Sequence, residues 1–240
     1  MTDLHELLVI LHIAVGSVAL VLFWAPAFTR KGSALHKLAG RYYVRAMMTV
    51  VISAAISSIM VLVDPIGIRH PGVEFSPEDV ERRAMNYRMF SLFLLMLAVL
   101  VFASLRHGIE ALKTAREPDR LRRPLHRANA FVLGGLALAV GAFGVIHWQI
   151  LLMIFAGISL VFSVGLYRDG LVEAPDAKER MRMHLGSMIG SGIGAHTAFF
   201  AFGGSRFLSE ILTGQWQVIP WVLPAIIGTL AIRRLEKRYQ

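Results

Sequence analysis

The sequence contains no cysteine. This absence excludes disulfide bonds, thiolate metal sites, iron–sulfur clusters and covalently attached c-type haem. Charge is also scarce, because Asp, Glu, Lys and Arg make up 17% of the 240 residues, whereas a soluble domain has about 25%. Hydrophobic residues reach 55%, and the mean hydropathy is +0.58. This composition excludes an ordinary soluble domain and predicts a protein of the lipid bilayer.

The apolar residues are concentrated in runs long enough to cross about 30 Å of hydrocarbon, which takes roughly 20 helical residues. These runs lie at 7–28, 46–63, 90–105, 128–148, 150–167, 185–202 and 218–232. Pro220 and Pro224 interrupt the last run, which a membrane helix tolerates where neighbours satisfy the freed carbonyls. We therefore predict an all-α polytopic membrane helix bundle of about seven transmembrane helices, forming a single integral membrane domain over residues 1–240.

Basic residues predict the orientation in the membrane. Most of the 25 Lys and Arg residues fall in segments 29–45, 106–127, 168–182 and 233–238. By the positive-inside rule these segments face the cytoplasm, so the amino terminus lies outside and the carboxyl terminus inside. Their charge suits anchoring to anionic lipid, and the lack of a soluble module argues against nucleic-acid binding.

Two helix starts carry local signals. Ser76 before Pro77 predicts an N-cap followed by proline in the first turn. Asp176 and Glu179 have the spacing of a capping box. The helix that follows Asp176 also carries small residues at intervals of four, which predict either close helix packing or room for a planar cofactor. These are Gly186, Gly190, Gly194, Ser187, Ser191 and Ala195.

A histidine recurs where a basic stretch runs into an apolar helix. The pattern occurs as Ala-Leu-His36-Lys, Pro-Leu-His126-Arg and Arg-Met-His184-Leu. It predicts one helical hairpin repeated three times, with the seventh helix left over. It also predicts that the three imidazoles lie at the cytoplasmic boundary, where His107 ends the third span. His12 and His196 lie deeper, toward the outer ends of their spans.

These histidines are the candidate functional residues of this chain, because ionisable groups within hydrocarbon are costly and usually have a function. A b-type haem needs neutral imidazoles from facing helices. The leading hypothesis is haem b for transmembrane electron transfer, which implies a redox partner; its candidate ligands are His12, His36, His126, His184 and His196. His184 and His196 are separated by about 18 Å of rise and about 120° of rotation on one helix, so they would not face the same side of it as in a stacked two-haem arrangement.

Other functions use the same residues. His36, His126 and His184 could hold zinc or copper with an open fourth position, in a membrane enzyme or a transporter. A hydrolase of this kind would lack its usual carboxylate, because the apolar runs contain no Asp or Glu. A proton or substrate relay through His12 and His196 is a third alternative. In a structural or regulatory subunit, the histidines would only anchor helix ends. The expected partners are the lipid bilayer and either a redox partner or further copies of this chain in a homo-oligomer.

One stretch resembles a known family. The sequence Arg-Lys-Gly-Ser-Ala-Leu-His36-Lys-Leu-Ala-Gly40-Arg41-Tyr42-Tyr43 after the first span is similar to the bacterial membrane family filed as domain of unknown function 2306, in which His-x-x-x-Gly-Arg-x-Tyr occupies that place. The chain is also loosely similar to cytochrome b561-like bundles. The resemblance implies a bacterial inner (cytoplasmic) membrane location and a cofactor site, and it supplies no reaction.

Overall fold

The computed structural model describes residues 2–204, 216 and 219–236, and within them every regular element is helical. The long helices are α1 (Thr2–Phe28), α2 (Ala34–Val63), α4 (Pro77–Lys113), α5 (Pro124–Ile146), α6 (Ile150–Asp169), α7 (Ala177–Ala198) and α8 (Ile219–Glu236). A short helix, α3, covers Pro65–Arg69, a 3₁₀ helix covers Pro118–Arg122, and a π-helical turn covers Phe199–Gly203. The predicted all-α class is confirmed for this part of the chain.

Five helical stretches in the described residues are long and apolar enough to cross a membrane. They are Thr2–Phe28, Ala34–Val63, Pro77–Lys113, Pro118–Ile146 and Ile150–Asp169. The sixth and seventh predicted spans fall on α7 and α8, which are not among the five. Charged residues occupy the first turns of α7 and the last turns of α8, and the π-helical turn follows α7 directly. Val218, where the seventh predicted span begins, and residues 237–240 lie outside the described residues, so seven spans remain a prediction.

The helix-start signals behave as predicted. Helix α4 begins at Pro77, and the Ser76 hydroxyl accepts the backbone N–H of Asp79 at 3.3 Å. Helix α7 begins after Asp176, whose carboxylate accepts the Glu179 N–H at 2.8 Å while the Glu179 carboxylate accepts the Asp176 N–H at 2.8 Å. Both caps satisfy backbone donors that the first helical turn leaves without a partner.

The chain packs as two compact units. The first unit comprises residues 1–103 and 127–169, and the second comprises 104–126 and 170–240. In the first unit, α1 and α2 form an antiparallel hairpin in which the rings of Phe23 and Tyr43 lie 5.7 Å apart. Helices α5 and α6 form another hairpin in that unit.

Glycines on α5 allow α6 to approach closely. A Cβ added to Gly134 would lie 2.9 Å from Ser163 Oγ, and one added to Gly141 would lie 3.2 Å from the Cβ of Ala156. The Ser163 hydroxyl donates to the carbonyl of Ala130 at 2.8 Å. This hairpin joins the fourth and fifth predicted spans, whereas the proposed repeat pairs three with four and five with six. The threefold repeat remains a prediction.

Helix α7 uses its small residues unevenly within the second unit. Ser187 and Ser191 are buried, and a Cβ on Gly190 would lie 3.4 Å from Ser104 Oγ. A Cβ on Gly186 would meet no described atom within 4 Å. The burial of Ser187 and Ser191 agrees with the predicted packing of this row, whereas Gly190 leaves room for an ordinary contact and Gly186 meets no described atom.

Candidate functional site

Two histidine rings stack inside the second unit. His107 lies near the end of α4 and His126 in the first turn of α5, and their ring centroids are 5.2 Å apart with an interplanar angle of 30°. Their side chains are 3% and 1% exposed. Pro124 at the start of α5 sets the first turn, and the His126 N–H donates to the Arg123 carbonyl at 2.9 Å. The chain therefore holds two imidazoles in a tilted stack, away from bulk water.

A third histidine contacts the same stretch of α4. The Nδ1 of His184, on α7, lies 2.9 Å from the backbone carbonyl of Gly108. Because a carbonyl only accepts hydrogen bonds, this contact requires the proton on Nδ1 and makes Nε2 the acceptor nitrogen of the neutral ring. Gly108 directly follows His107, so the second unit brings His107, His126 and His184 to one region. We name these three residues the histidine cluster.

Gly108 makes the approach of α7 possible. A Cβ at this position would lie 2.7 Å from Met188 Cε, 3.0 Å from Ser187 Cβ and 3.3 Å from the His184 carbonyl oxygen. One turn earlier, the buried Ser104 hydroxyl donates to the Ser187 carbonyl at 2.8 Å. A bare backbone at Gly108 thus leaves its carbonyl accessible to the His184 ring.

Charged side chains connect the end of α4 to the following segment. Glu110, with 11% of its side chain exposed, accepts hydrogen bonds from Lys113 at 2.9 Å and from Arg120 at 3.3 Å. Arg120 also binds Glu117 at 2.7 Å, and Arg123 binds Glu117 at 2.5 Å. The hydrogen bond from Arg120, with the positive charges of Arg120 and Arg123, lowers the pKa of Glu117 below its usual value, although partial desolvation opposes this. These ion pairs hold the connection against α4, close in sequence to both stacked rings.

The other predicted ligands make separate contacts. In the first unit, His12 on α1 donates from Nδ1 to the Val50 carbonyl of α2 at 3.0 Å, with Ser53 Oγ at 3.3 Å. His36 Nδ1 lies 3.2 Å from the Pro26 carbonyl near the end of α1. In the second unit, His196 Nδ1 lies 2.8 Å from the Gly192 carbonyl of its own helix.

These contacts share one chemical feature. His12, His36, His184 and His196 all place Nδ1 at a backbone carbonyl, which leaves Nε2 as the acceptor nitrogen of the neutral ring. Ligating histidines typically hold their other ring nitrogen in this way. The same contacts also stabilise the fold, because the His36 ring satisfies a carbonyl in the last turn of α1 and the His12 ring ties α1 to α2.

The repeated sequence pattern includes two members of the histidine cluster, and the third, His107, was predicted to lie at the same boundary but was not among the candidate ligands. His126 and His184 begin apolar helices after basic stretches, whereas His107 ends a helix and lacks that pattern. The available signal was its place at the boundary of the third span, three residues before Glu110. His36 and His12 belong to the first unit, and their contacts are described by themselves.

No group of three or more His, Cys, Asp or Glu side chains within residues 2–204, 216 and 219–236 is placed to hold a metal ion. The zinc or copper hypothesis for His36, His126 and His184 therefore gains no support from the fold. No protein-family model, curated protein or solved structure matches the chain. The resemblance to the domain of unknown function 2306 family and to cytochrome b561-like bundles accordingly remains a prediction from the sequence.

Proposed function

We propose that this integral membrane protein binds haem b at the histidine cluster and takes part in electron transfer. The observation that carries the proposal is the burial of the stacked His107–His126 pair beside His184, whose Nδ1 is fixed by the Gly108 carbonyl. A bis-imidazole site needs two neutral rings from different helices. The second unit offers such rings on α5 and α7.

We assign His126 and His184 as the ligands and His107 as a positioning residue. The reason is the stack itself, because rings with centroids 5.2 Å apart that face each other do not point their nitrogens at a common iron. The pair therefore supplies at most one ligand, and we choose His126 because it is the member of the pair that the sequence predicted as a ligand; His107 then supports it by packing. Haem supplies a one-electron couple whose potential depends on its axial ligands and surroundings. The chain's own contribution is burial, which excludes water, and a fixed tautomer at His184.

Absorption spectroscopy of the purified full chain tests this proposal. In detergent, we expect a sharp Soret band that shifts on dithionite reduction. His126→Gly and His184→Gly should each remove or weaken the band, and added imidazole should restore part of it by filling the vacated place. His70→Gly is the matched control, because the His70 ring binds the Tyr87 hydroxyl at 2.7 Å in the first unit and belongs to no proposed site.

The alternatives have distinct outcomes in the same preparation. A colourless protein with stoichiometric zinc or copper would replace the haem proposal with the metal hypothesis. A colourless and metal-free protein that folds normally would favour a structural or regulatory subunit. Loss of the Soret band in the His70→Gly variant as well would show that the band depends on folding and not on these two ligands.

We further propose that the amino terminus faces outside in a bacterial inner membrane. The support is the basic connection at 106–127, which the positive-inside rule assigns to the cytoplasm. The cysteine-free chain offers a clean background for labelling with a membrane-impermeant maleimide. In spheroplasts we expect Glu74→Cys to be labelled and Arg116→Cys to be labelled only after lysis. The reverse pattern would invert the topology.

A further inference from the structure

The turn between α5 and α6 has the hydrogen bonds of a Schellman motif. The Gln149 N–H donates to the Gly144 carbonyl at 2.8 Å, and the Trp148 N–H approaches the Val145 carbonyl at 3.4 Å. In this motif the residue after the C-cap takes a left-handed conformation, and it is usually glycine. Here that residue is Trp148, with φ of +53°.

The backbone at Trp148 is strained. It is the one non-glycine residue with positive φ in the described part of the chain, and the other two such positions, Gly32 and Gly72, are glycines. A left-handed conformation brings the Cβ of an L-residue too close to the following carbonyl. Glycine would make the same turn without this cost.

Packing within the chain does not account for the tryptophan. Its side chain is 84% exposed, so burial in the first unit contributes little to holding it there. Its neighbours Ile146 and Ile150 are 71% and 69% exposed, so the surface around the turn is apolar. What favours tryptophan over glycine at this position therefore lies outside the chain.

The position of the turn identifies that surrounding medium. Three residues, 147–149, connect two stretches that are each long and apolar enough to cross a membrane, Pro118–Ile146 and Ile150–Asp169. A turn this short between two spans lies at the boundary of the hydrocarbon. Tryptophan is favoured there because its ring is apolar and its indole N–H can donate to lipid carbonyls and headgroups.

We propose that Trp148 is a membrane-interface anchor, whose indole occupies the headgroup and glycerol layer of the bilayer beside the α5–α6 turn. The left-handed backbone presents the ring outward to lipid, and contact with lipid offsets the strain. The proposal does not depend on the haem proposal or on which side of the membrane the turn faces.

Fluorescence quenching in lipid vesicles tests the anchor directly. In the full chain with Trp24, Trp216 and Trp221 changed to Phe, the emission comes from Trp148 alone. In phosphatidylcholine vesicles we expect strong quenching by lipids brominated near the carbonyl end of the acyl chain and weak quenching by aqueous acrylamide. Acrylamide quenching as strong as that of free tryptophan, or quenching only by lipids brominated near the chain terminus, would overturn the proposal. Protection that is lost when the vesicles hold one chain each would assign the ring to contact with a second copy, and would also overturn it.

A stability measurement tests the strain without fluorescence. In detergent, Trp148→Gly should shift the unfolding equilibrium toward the folded state by about tenfold, because it removes the left-handed penalty. Gln149→Gly is the matched control, since Gln149 is exposed and lies outside the positive-φ region, and it should bring no such gain. Equal effects of the two substitutions, or a loss in Trp148→Gly, would contradict the strain on which the proposal rests.

Discussion

Ser104 and Ser187 join α4 to α7 through a buried hydrogen bond, in which the Ser104 hydroxyl donates to the Ser187 carbonyl at 2.8 Å. Gly108 lies one turn further along α4, so the same helix face presents a hydroxyl and then a bare backbone to α7. The backbone carbonyl of Gly108 positions the His184 ring. The geometry of the histidine cluster therefore depends on the absence of a side chain at Gly108.

The first prediction concerns this close approach. Gly108→Ala should lower the free energy of unfolding by about 1–3 kcal/mol, because the added methyl meets the Ser187 side chain and the His184 carbonyl and not only the flexible end of Met188. Gly186→Ala on α7 is the control, with no described atom within 4 Å, and should be neutral or stabilising by up to about 1 kcal/mol. Chemical or thermal unfolding in detergent compares the two. Equal costs would show that contact with α7 is not what requires glycine at Gly108.

The second prediction concerns the turn between α2 and α3. The Asp64 carboxylate caps α3 by accepting the Gly67 N–H at 2.9 Å, and a Cβ on Gly67 would overlap that carboxylate. Asp64→Ala should cost about 1 kcal/mol by removing the cap. Gly67→Ala should destabilise the natural chain but stabilise the Asp64→Ala chain by up to about 1 kcal/mol, since alanine favours helix once the overlap is gone.

A double-mutant cycle of unfolding free energies measures this coupling. The sign of the Gly67→Ala effect must change between the two backgrounds. Additive effects would mean that the carboxylate moves aside freely, and that the cap contributes little to the turn.

Local chemistry explains which features the sequence predicted. The caps at Ser76 and Asp176 depend on residues within one turn, so spacing alone revealed them. The glycine contacts did not follow from spacing. The regular row on α7 includes Gly186, where a Cβ would meet no atom of the described residues, whereas Gly134 and Gly141 on α5 pack closely because Ser163 and Ala156 lie opposite them. Which glycine is crowded depends on a partner helix that periodicity does not identify. The boundary position of His107 was predicted, but its stacking on His126 was not, because a pattern that repeats at helix starts does not include a histidine at a helix end.

The third prediction concerns the pH dependence of the connection between α4 and α5. The pKa of Glu117 is lowered in the folded chain, first by its hydrogen bond from Arg120. A lowered carboxyl pKa means that the contribution of Glu117 to stability is complete above its unfolded pKa of about 4.3 and is lost as the pH falls through the folded value. The protection factors of residues 114–123, which compare hydrogen exchange with the intrinsic rate at the same pH, should therefore fall in acid.

Glu117→Gln provides the control for this pH effect. The variant should exchange faster than the natural chain at neutral pH and should lose the part of the acid response that Glu117 causes. Because the ion pairs are exposed, added salt should also reduce the difference between the two chains. An unchanged acid response in Glu117→Gln would assign the effect to another carboxylate.

The fourth prediction separates the roles of the two deep histidines, whose hydrogen bonds differ in kind. His12 ties α1 to α2 through the Val50 carbonyl, whereas His196 binds the Gly192 carbonyl within α7. His12→Ala should therefore destabilise the first unit by about 0.6 kcal/mol or more, since this is the average for an interhelical hydrogen bond in a membrane. His196→Ala removes a hydrogen bond within α7, and the loss of that bond should break no contact between helices. Unfolding in detergent measures the stabilities, and the Soret band measured on the same samples tests ligation. If either residue is a haem ligand, its variant should lose more Soret absorbance than the small loss of folded protein explains. An unchanged spectrum in both variants would remove His12 and His196 from the predicted ligand set and leave His12 as a structural tie between two helices.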